Sequence, residues 1–258
     1  VRHYCFANLL INCICFALSP VATFTPSECL AQEKKAATKP IHREVRKVVG
    51  WSVHINGDLL KTEPAATQKA LELLAAQLQQ IDEELPAPAV AQLKKVKLYF
   101  SPAYPKTQAR AEFHPGEQWL KENGRDPVMV RSVEFTNIPE FEAETIRMPN
   151  FALHELAHAY HFLNLKDGYG NADVIKAFEV AKASGKYARV ERSNGIHGKN
   201  TFEKAYAISS PMEYFAEATE AYFSRNDYFP FTAKELQMHD PEMFSLLTKL
   251  WGVSSKRR

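Results

Sequence analysis

The chain has 258 residues, of which 45% are hydrophobic and 24% charged, with a formal net charge of +2. This composition excludes a disordered polyelectrolyte, and so small a net charge is no argument for a nucleic-acid partner or for an anionic membrane. The four cysteines (Cys5, Cys13, Cys15 and Cys29) are all N-terminal, so a fold built from the rest of the chain has no disulfide, no thiolate nucleophile and no Cys-ligated zinc.

Arg2 and His3 precede an apolar stretch, residues 4–24, interrupted by Asn8, Asn12 and Pro20 and followed by Cys29-Leu30-Ala31. Residues 1–31 therefore read as a secretory signal peptide, which predicts a secreted or periplasmic protein with no stable membrane anchor after cleavage. Residues 32–44, rich in Lys, Ala, Thr and Pro, read as a flexible leader. If this leader were a propeptide, His42 would be its one group able to block a metal. Residues 45–258 are expected to form a single domain.

Within that domain, residues 45–55 read as a first strand, followed by a turn at Asn56-Gly57-Asp58. Apolar residues at 70, 71, 74, 78, 81 and 85 have the spacing of an amphipathic helix over 67–85, stopped by Pro86 and Pro88. Residues 96–100 form a second strand. The run Lys94-Lys95-Val96-Lys97 at its start is expected to face solvent. A short edge strand is expected at 109–113 and another strand at 128–135, with His114 in a solvated loop between them. Further helices are expected at 172–183, 211–223 and 240–251, the last with Asp240 as its cap and Pro241 in its first position. Residues 184–200 read as a loop. Trp51, Trp119 and Trp251 are expected in the core or on the wall of a cleft. Strands first and helices second define an α+β fold: a small mixed sheet followed by two helices that carry the chemistry.

The first of those helices lies in the apolar run 151–165, behind Pro149, and contains His154-Glu155-Leu156-Ala157-His158-Ala159-Tyr160-His161. Two histidines four apart share a helix face and can chelate one Zn2+, and the glutamate between them can act as base toward a water. His161 lies about 10.5 Å along the axis from His154, too far for both to reach one ion. The third ligand must come from elsewhere. His197 sits in a glycine-flanked loop, a less rigid donor than a helix. The better source is 211–223, where Glu213, Glu217 and Glu220 recur at helical spacing among Tyr214, Phe215, Ala216 and Ala218. A glutamate in so apolar a helix needs a cation to face.

H-E-x-x-H followed by a glutamate helix is similar to the gluzincin metallopeptidases, and Glu213-Tyr214-Phe215-Ala216-Glu217-Ala218 resembles the corresponding helix of the anthrax lethal factor-like catalytic domain. The resemblance covers residues 148–225. It implies a zincin-like fold and a secreted zinc peptidase that hydrolyses peptide or protein substrates by metal-activated water. The zinc ligands would be His154, His158 and Glu213, and Glu155 would be the general base. Tyr206, seven residues before Glu213, would donate to the oxyanion, and Glu217 would support a zinc-bound histidine from behind. The additional domains of the toxin have no counterpart here. A zinc-binding module without activity and an amidase acting on cell-wall peptides are the alternatives.

Overall fold

The structure, a computed structural model, describes residues 41–105, 108, 111–195 and 198–254. The expected signal peptide, most of the leader and His197 lie outside the described residues.

The strand expected over 45–55 is a hairpin. Val49 (φ 48°) and Gly50 (φ 91°) are both left-handed, the geometry of a two-residue type I′ turn. Strand β1 (Arg43–Val48) therefore folds back on β2 (Trp51–Asn56), with Val48 opposite Trp51. The folded unit already includes the end of the expected leader, since the His42 carbonyl accepts from Gly57 N at 2.9 Å. Asn56 does not make an open turn. Its side chain accepts from Asp58 N at 2.9 Å and caps helix α1 (Gly57–Thr62).

Helix α2 (Pro64–Glu84) buries Ala70, Leu71, Leu74, Leu78 and Ile81, the stripe read from the sequence. Pro86 ends that run and caps a helix not expected, α3 (Ala87–Leu93). Strands β3 (Leu98–Ser101) and β4 (Ala111–Phe113) and helix α4 (Glu117–Glu122) follow. The strand expected at 128–135 is only half extended. The Asp126 carboxylate accepts from Val128 N and winds Pro127–Met129 into a 3-10 turn, and Arg131 turns left-handed (φ 57°). Strand β5 is then Val133–Thr136.

The rest is helical apart from one small hairpin: α5 (Phe141–Arg147), α6 (Phe151–Asn164), α7 (Ala172–Ser184), β6 (Val190–Arg192) with β7 (Thr201–Glu203), α8 (Pro211–Phe223), α9 (Ala233–His239) and α10 (Pro241–Leu250). Strand β6 lies within the expected loop 184–200 and β7 directly after it. Strands of three residues carry no apolar alternation by which to be recognised.

The main sheet has the order β1-β2-β3-β5-β4, antiparallel at both ends and parallel between β2, β3 and β5. The architecture is α+β. One sheet face carries the core, with Val53, Leu98, Phe100, Val133 and Phe135 packed together with the buried residues of α2 and α6. Trp51 Nε1 donates to the Leu93 carbonyl at 2.9 Å and Trp251 Nε1 to Thr219 Oγ1 at 3.2 Å, so each buried indole has its partner.

The other face presents a row in register across all five strands: Val45, His54, Tyr99, Glu134 and Glu112. Helix α4 and the 127–129 turn cover the Glu134 half, where Tyr99, Leu120 and Met129 form a second small core. Glu134 is fully buried there. Its carboxylate accepts from Arg125 Nη1 (2.9 Å) and Tyr104 Oη (2.6 Å), and lies 2.9 Å from His114 Nε2. His114 is thus buried rather than solvated. Burial alone would raise the Glu134 pKa, but the hydrogen bonds from His114, Ser101 and Tyr104 and the charge of Arg125 outweigh it and hold the group below its ordinary value.

A carboxylate with a depressed folded pKa contributes stability that is present above its unfolded pKa, near 4.5, and lost as pH falls through the folded value. We expect wild-type unfolding free energy to drop more steeply than that of Glu134→Gln as pH is taken below about 4.5. At neutral pH that variant should cost about 3 kcal/mol, because buried Arg125 is left with Glu112 as its remaining carboxylate partner and His114 and Tyr104 lose a charged acceptor. Urea denaturation across the acid range measures both; parallel pH profiles would remove Glu134 as the titrating group.

Candidate metal centre

Asn150 starts α6. Its side chain accepts from Leu153 N at 3.0 Å, and its amide donates to the Gln77 carbonyl and to Gln80, which ties the helix start to α2. The cap is therefore Asn150 rather than Pro149. Helix α8 is capped in the same way: Ser210 Oγ accepts from Glu213 N at 3.2 Å, and Pro211 occupies the first turn. Glu213 is thereby held in the first turn, where a negative side chain complements the helix dipole. Of all the helix pairs, α6 and α8 pack most extensively.

This packing brings three ligand atoms together. His154 Nε2 and His158 Nε2 are 3.1 Å apart, and Glu213 Oε2 lies 3.1 Å from the first and 3.3 Å from the second. Ligands ~2.0–2.1 Å from a tetrahedral zinc are roughly 3.3–3.4 Å from one another, so the triangle has nearly the dimensions of one tetrahedral face. All three side chains are largely or wholly buried.

The second nitrogen of His154 is held from behind. Glu220 Oε1 lies 2.6 Å from His154 Nδ1, whereas Glu217 Oε1 is 3.9 Å away. The supporting carboxylate is therefore Glu220, a correction to the expected Glu217. Glu217 instead accepts from Asn226 Nδ2 at 3.1 Å. A carboxylate at Nδ1 fixes the tautomer whose Nε2 lone pair faces Glu213 and His158. No described group bonds His158 Nδ1.

The electrostatics reflect crowding of like charges in a dry interface. Burial lowers the His154 pKa, but Glu220, Glu213 and Glu155 outweigh it and leave it well above the ordinary value. For His158, burial and the charge of His154 outweigh Glu213, and its pKa falls. Burial would raise Glu213, yet hydrogen bonds from both imidazoles hold it far down. Burial pushes Glu217 well up, helped by Asp227 and Glu220, and raises Glu220 as well. The raised pKa values of His154, Glu155, Glu217 and Glu220 mean that this cluster holds protons to balance its carboxylates, a task a bound cation could take over, and a donor set of two imidazoles and a carboxylate suits zinc.

Glu155 is buried beside the triad, and its Oε2 accepts from Phe113 N of the edge strand β4 at 2.8 Å. Burial raises its pKa to about 8. Tyr206 opens a 3-10 turn (Tyr206–Ile208) just before α8 and is half exposed. Its phenol is pushed up to about 12 by partial burial and then by the charge of Glu213. The triad, Glu155 and Tyr206 line one cleft of about 900 Å³, with Phe141, Met148, Phe151 and Met212 on its apolar wall.

Two further rings pack beside the triad. His161 is fully buried, with neither ring nitrogen bonded to a described group, against Phe215 and Tyr169 (centroids 4.8 and 5.1 Å). Burial, then His158, lowers its pKa to about 4, so it is a neutral packing group outside the triad. Tyr169, which no motif marks, lines the cleft edge-on to His158. The turn that carries it depends on Gly168 (φ 54°), where a Cβ would meet the Phe162 carbonyl oxygen at 2.8 Å.

Set against family models, curated proteins and solved structures, the chain matches none. The functional argument therefore rests on the site itself.

If Glu220 orients His154, Glu220→Ala should weaken zinc binding by roughly 10–100-fold, and Glu217→Ala by clearly less. Competition against a chromophoric chelator gives both constants; equal losses would remove the distinction between the two glutamates.

Proposed function

We propose that this protein is a zinc-dependent peptidase of the gluzincin type on a zincin-like fold, acting on peptide or protein substrates outside the cytoplasm. The observation that carries the reading is the triangle of His154 Nε2, His158 Nε2 and Glu213 Oε2, with edges of 3.1, 3.1 and 3.3 Å, beside the buried carboxyl of Glu155. Bound there, zinc would polarise a scissile carbonyl and bring the pKa of a water to roughly 7.

The chain's own groups supply the rest. Glu155, with one oxygen held by Phe113 N–H, would act as base in its ionised form, which the charge of a bound zinc would favour over the protonated form that burial favours; it would take the proton of the attacking water and pass it to the leaving amine. Tyr206 keeps its phenolic proton at neutral pH, given a pKa near 12. It can therefore donate a hydrogen bond to negative charge developing on the carbonyl oxygen, a contribution on the order of 3 kcal/mol for such donors. Glu220 holds the His154 ring in the required tautomer. The apolar wall of Phe141, Met148, Phe151 and Met212 offers surface for a substrate side chain and excludes water.

Glu155→Gln should bind zinc as wild type does while losing roughly 10²–10⁴-fold in turnover of a diverse peptide library. Metal analysis and chelator-controlled peptide profiling read the two quantities separately. Undiminished turnover would overturn the role of Glu155, and a zinc-loaded wild type that cleaves no peptide would overturn the reading as a peptidase.

A further inference from the structure

The half of the second sheet face that no described helix covers lies at the opposite end of the sheet from β4, the strand that borders the cleft. Its centre is Val45, 53% exposed, opposite His54, which stacks on Tyr99 with ring centroids 4.7 Å apart. Around this row stand cations. Lys47 shares the β1 face of Val45 and donates to Ser52 Oγ; Lys97 is exposed at the start of β3; and the charges of Lys97, Arg43 and Lys47 all bear on His54.

The acids of the same row, Glu134 and Glu112, are engaged with Arg125 on the half that α4 covers. Asp126 pairs with Arg43 at 2.9 Å and draws the 127–129 turn alongside, where Val128 is 50% exposed and its carbonyl accepts from Tyr99 Oη at 3.5 Å. This half of the face thus carries two exposed valines, Val45 and Val128, beside the exposed cations Lys47 and Lys97, with Arg43 paired to Asp126. Cations attract an anionic bilayer and aliphatic tips enter its interface. A soluble polyanion would use the cations alone, and Val45 and Val128 decide between the two. The net charge of +2 conceals this segregation.

We propose that this half-sheet, Arg43, Val45, Lys47, His54 and Lys97 with Val128 beside it, docks the protein on an anionic lipid surface, leaving the cleft free. Among the described residues no helix is long and apolar enough to cross a membrane, so docking here would be peripheral.

The test is co-sedimentation of the full chain with vesicles of phosphatidylcholine alone, or with about one-third phosphatidylserine, at low and high salt. Variants carry the same N-terminal segment as wild type, so any partition caused by that segment is common to all of them. Each cation near a bilayer is worth roughly fivefold in partition. Lys47→Gln/Lys97→Gln should therefore lose roughly 25-fold on anionic vesicles, and Val45→Asp should also bind less. Lys176→Gln/Lys182→Gln on α7 should match wild type. Variants equal to wild type on anionic vesicles would overturn the proposal. So would equal partition of wild type onto neutral and anionic vesicles, or a charge-dependent loss seen on heparin or DNA but not on vesicles. Unchanged zinc binding by the Lys47/Lys97 variant would show that it folds.

Discussion

The constraint on which the site depends is the burial of six titratable side chains between two apolar helices. His154, Glu155 and His158 on α6, and Glu213, Glu217 and Glu220 on α8, meet where the surrounding residues are alanine, leucine, phenylalanine and tyrosine. Taking that many ionisable groups out of water is affordable only if each finds a partner. The structure answers in layers: Glu213 faces both imidazoles, Glu220 holds the outer nitrogen of His154, and Asn226 and Phe113 N–H each satisfy one oxygen of Glu217 and Glu155. What the layers lack is positive charge at the centre of the triangle, and a divalent cation is the simplest group to provide it.

Much of this was legible in the sequence where periodicity is long and unambiguous. The stripe at 70, 71, 74, 78 and 81 gave α2, and Pro211 to Phe223 gave α8 to the residue. The triad residues come together because four residues make about one helical turn. The same arithmetic explains the exchange of Glu217 for Glu220. Counting at 100° per residue, position 217 lies about 40° from Glu213 and position 220 only about 20°, on the other side. Seven residues come closer to whole turns than four, a signal that the family resemblance overrode. Backbone reversals were not legible. Val49 adopts a conformation that β-branched residues avoid, and Arg131 likewise cuts short an apolar run that reads as a single strand. The β6–β7 hairpin and Tyr169 are held by contacts between segments distant in sequence, which local patterns do not record.

The sheet separates two kinds of surface. Its packed face supports the helices that bring His154, His158 and Glu213 together, and β4 contributes one backbone donor directly to Glu155. Its other face is divided by α4 into a buried polar cluster around Glu134 and an open, basic half. Chemistry and surface charge are thus placed at opposite edges of one five-stranded layer, where substitutions at one end need not disturb the other.

The donor set has a consequence for chemical durability. Two imidazoles and a carboxylate contain no sulfur, and every cysteine of the chain lies before residue 30. Peroxide or disulfide exchange, which dismantles thiolate-bound zinc by oxidising its ligands, finds no thiolate among these ligand atoms, although Met148 and Met212 on the cleft wall remain open to sulfoxidation. Soft ions such as Cu(I), which seek thiolate, gain little hold on the triangle. A metal held by such a set would stay bound in oxidising and reducing surroundings alike, its occupancy following metal supply and pH rather than redox potential.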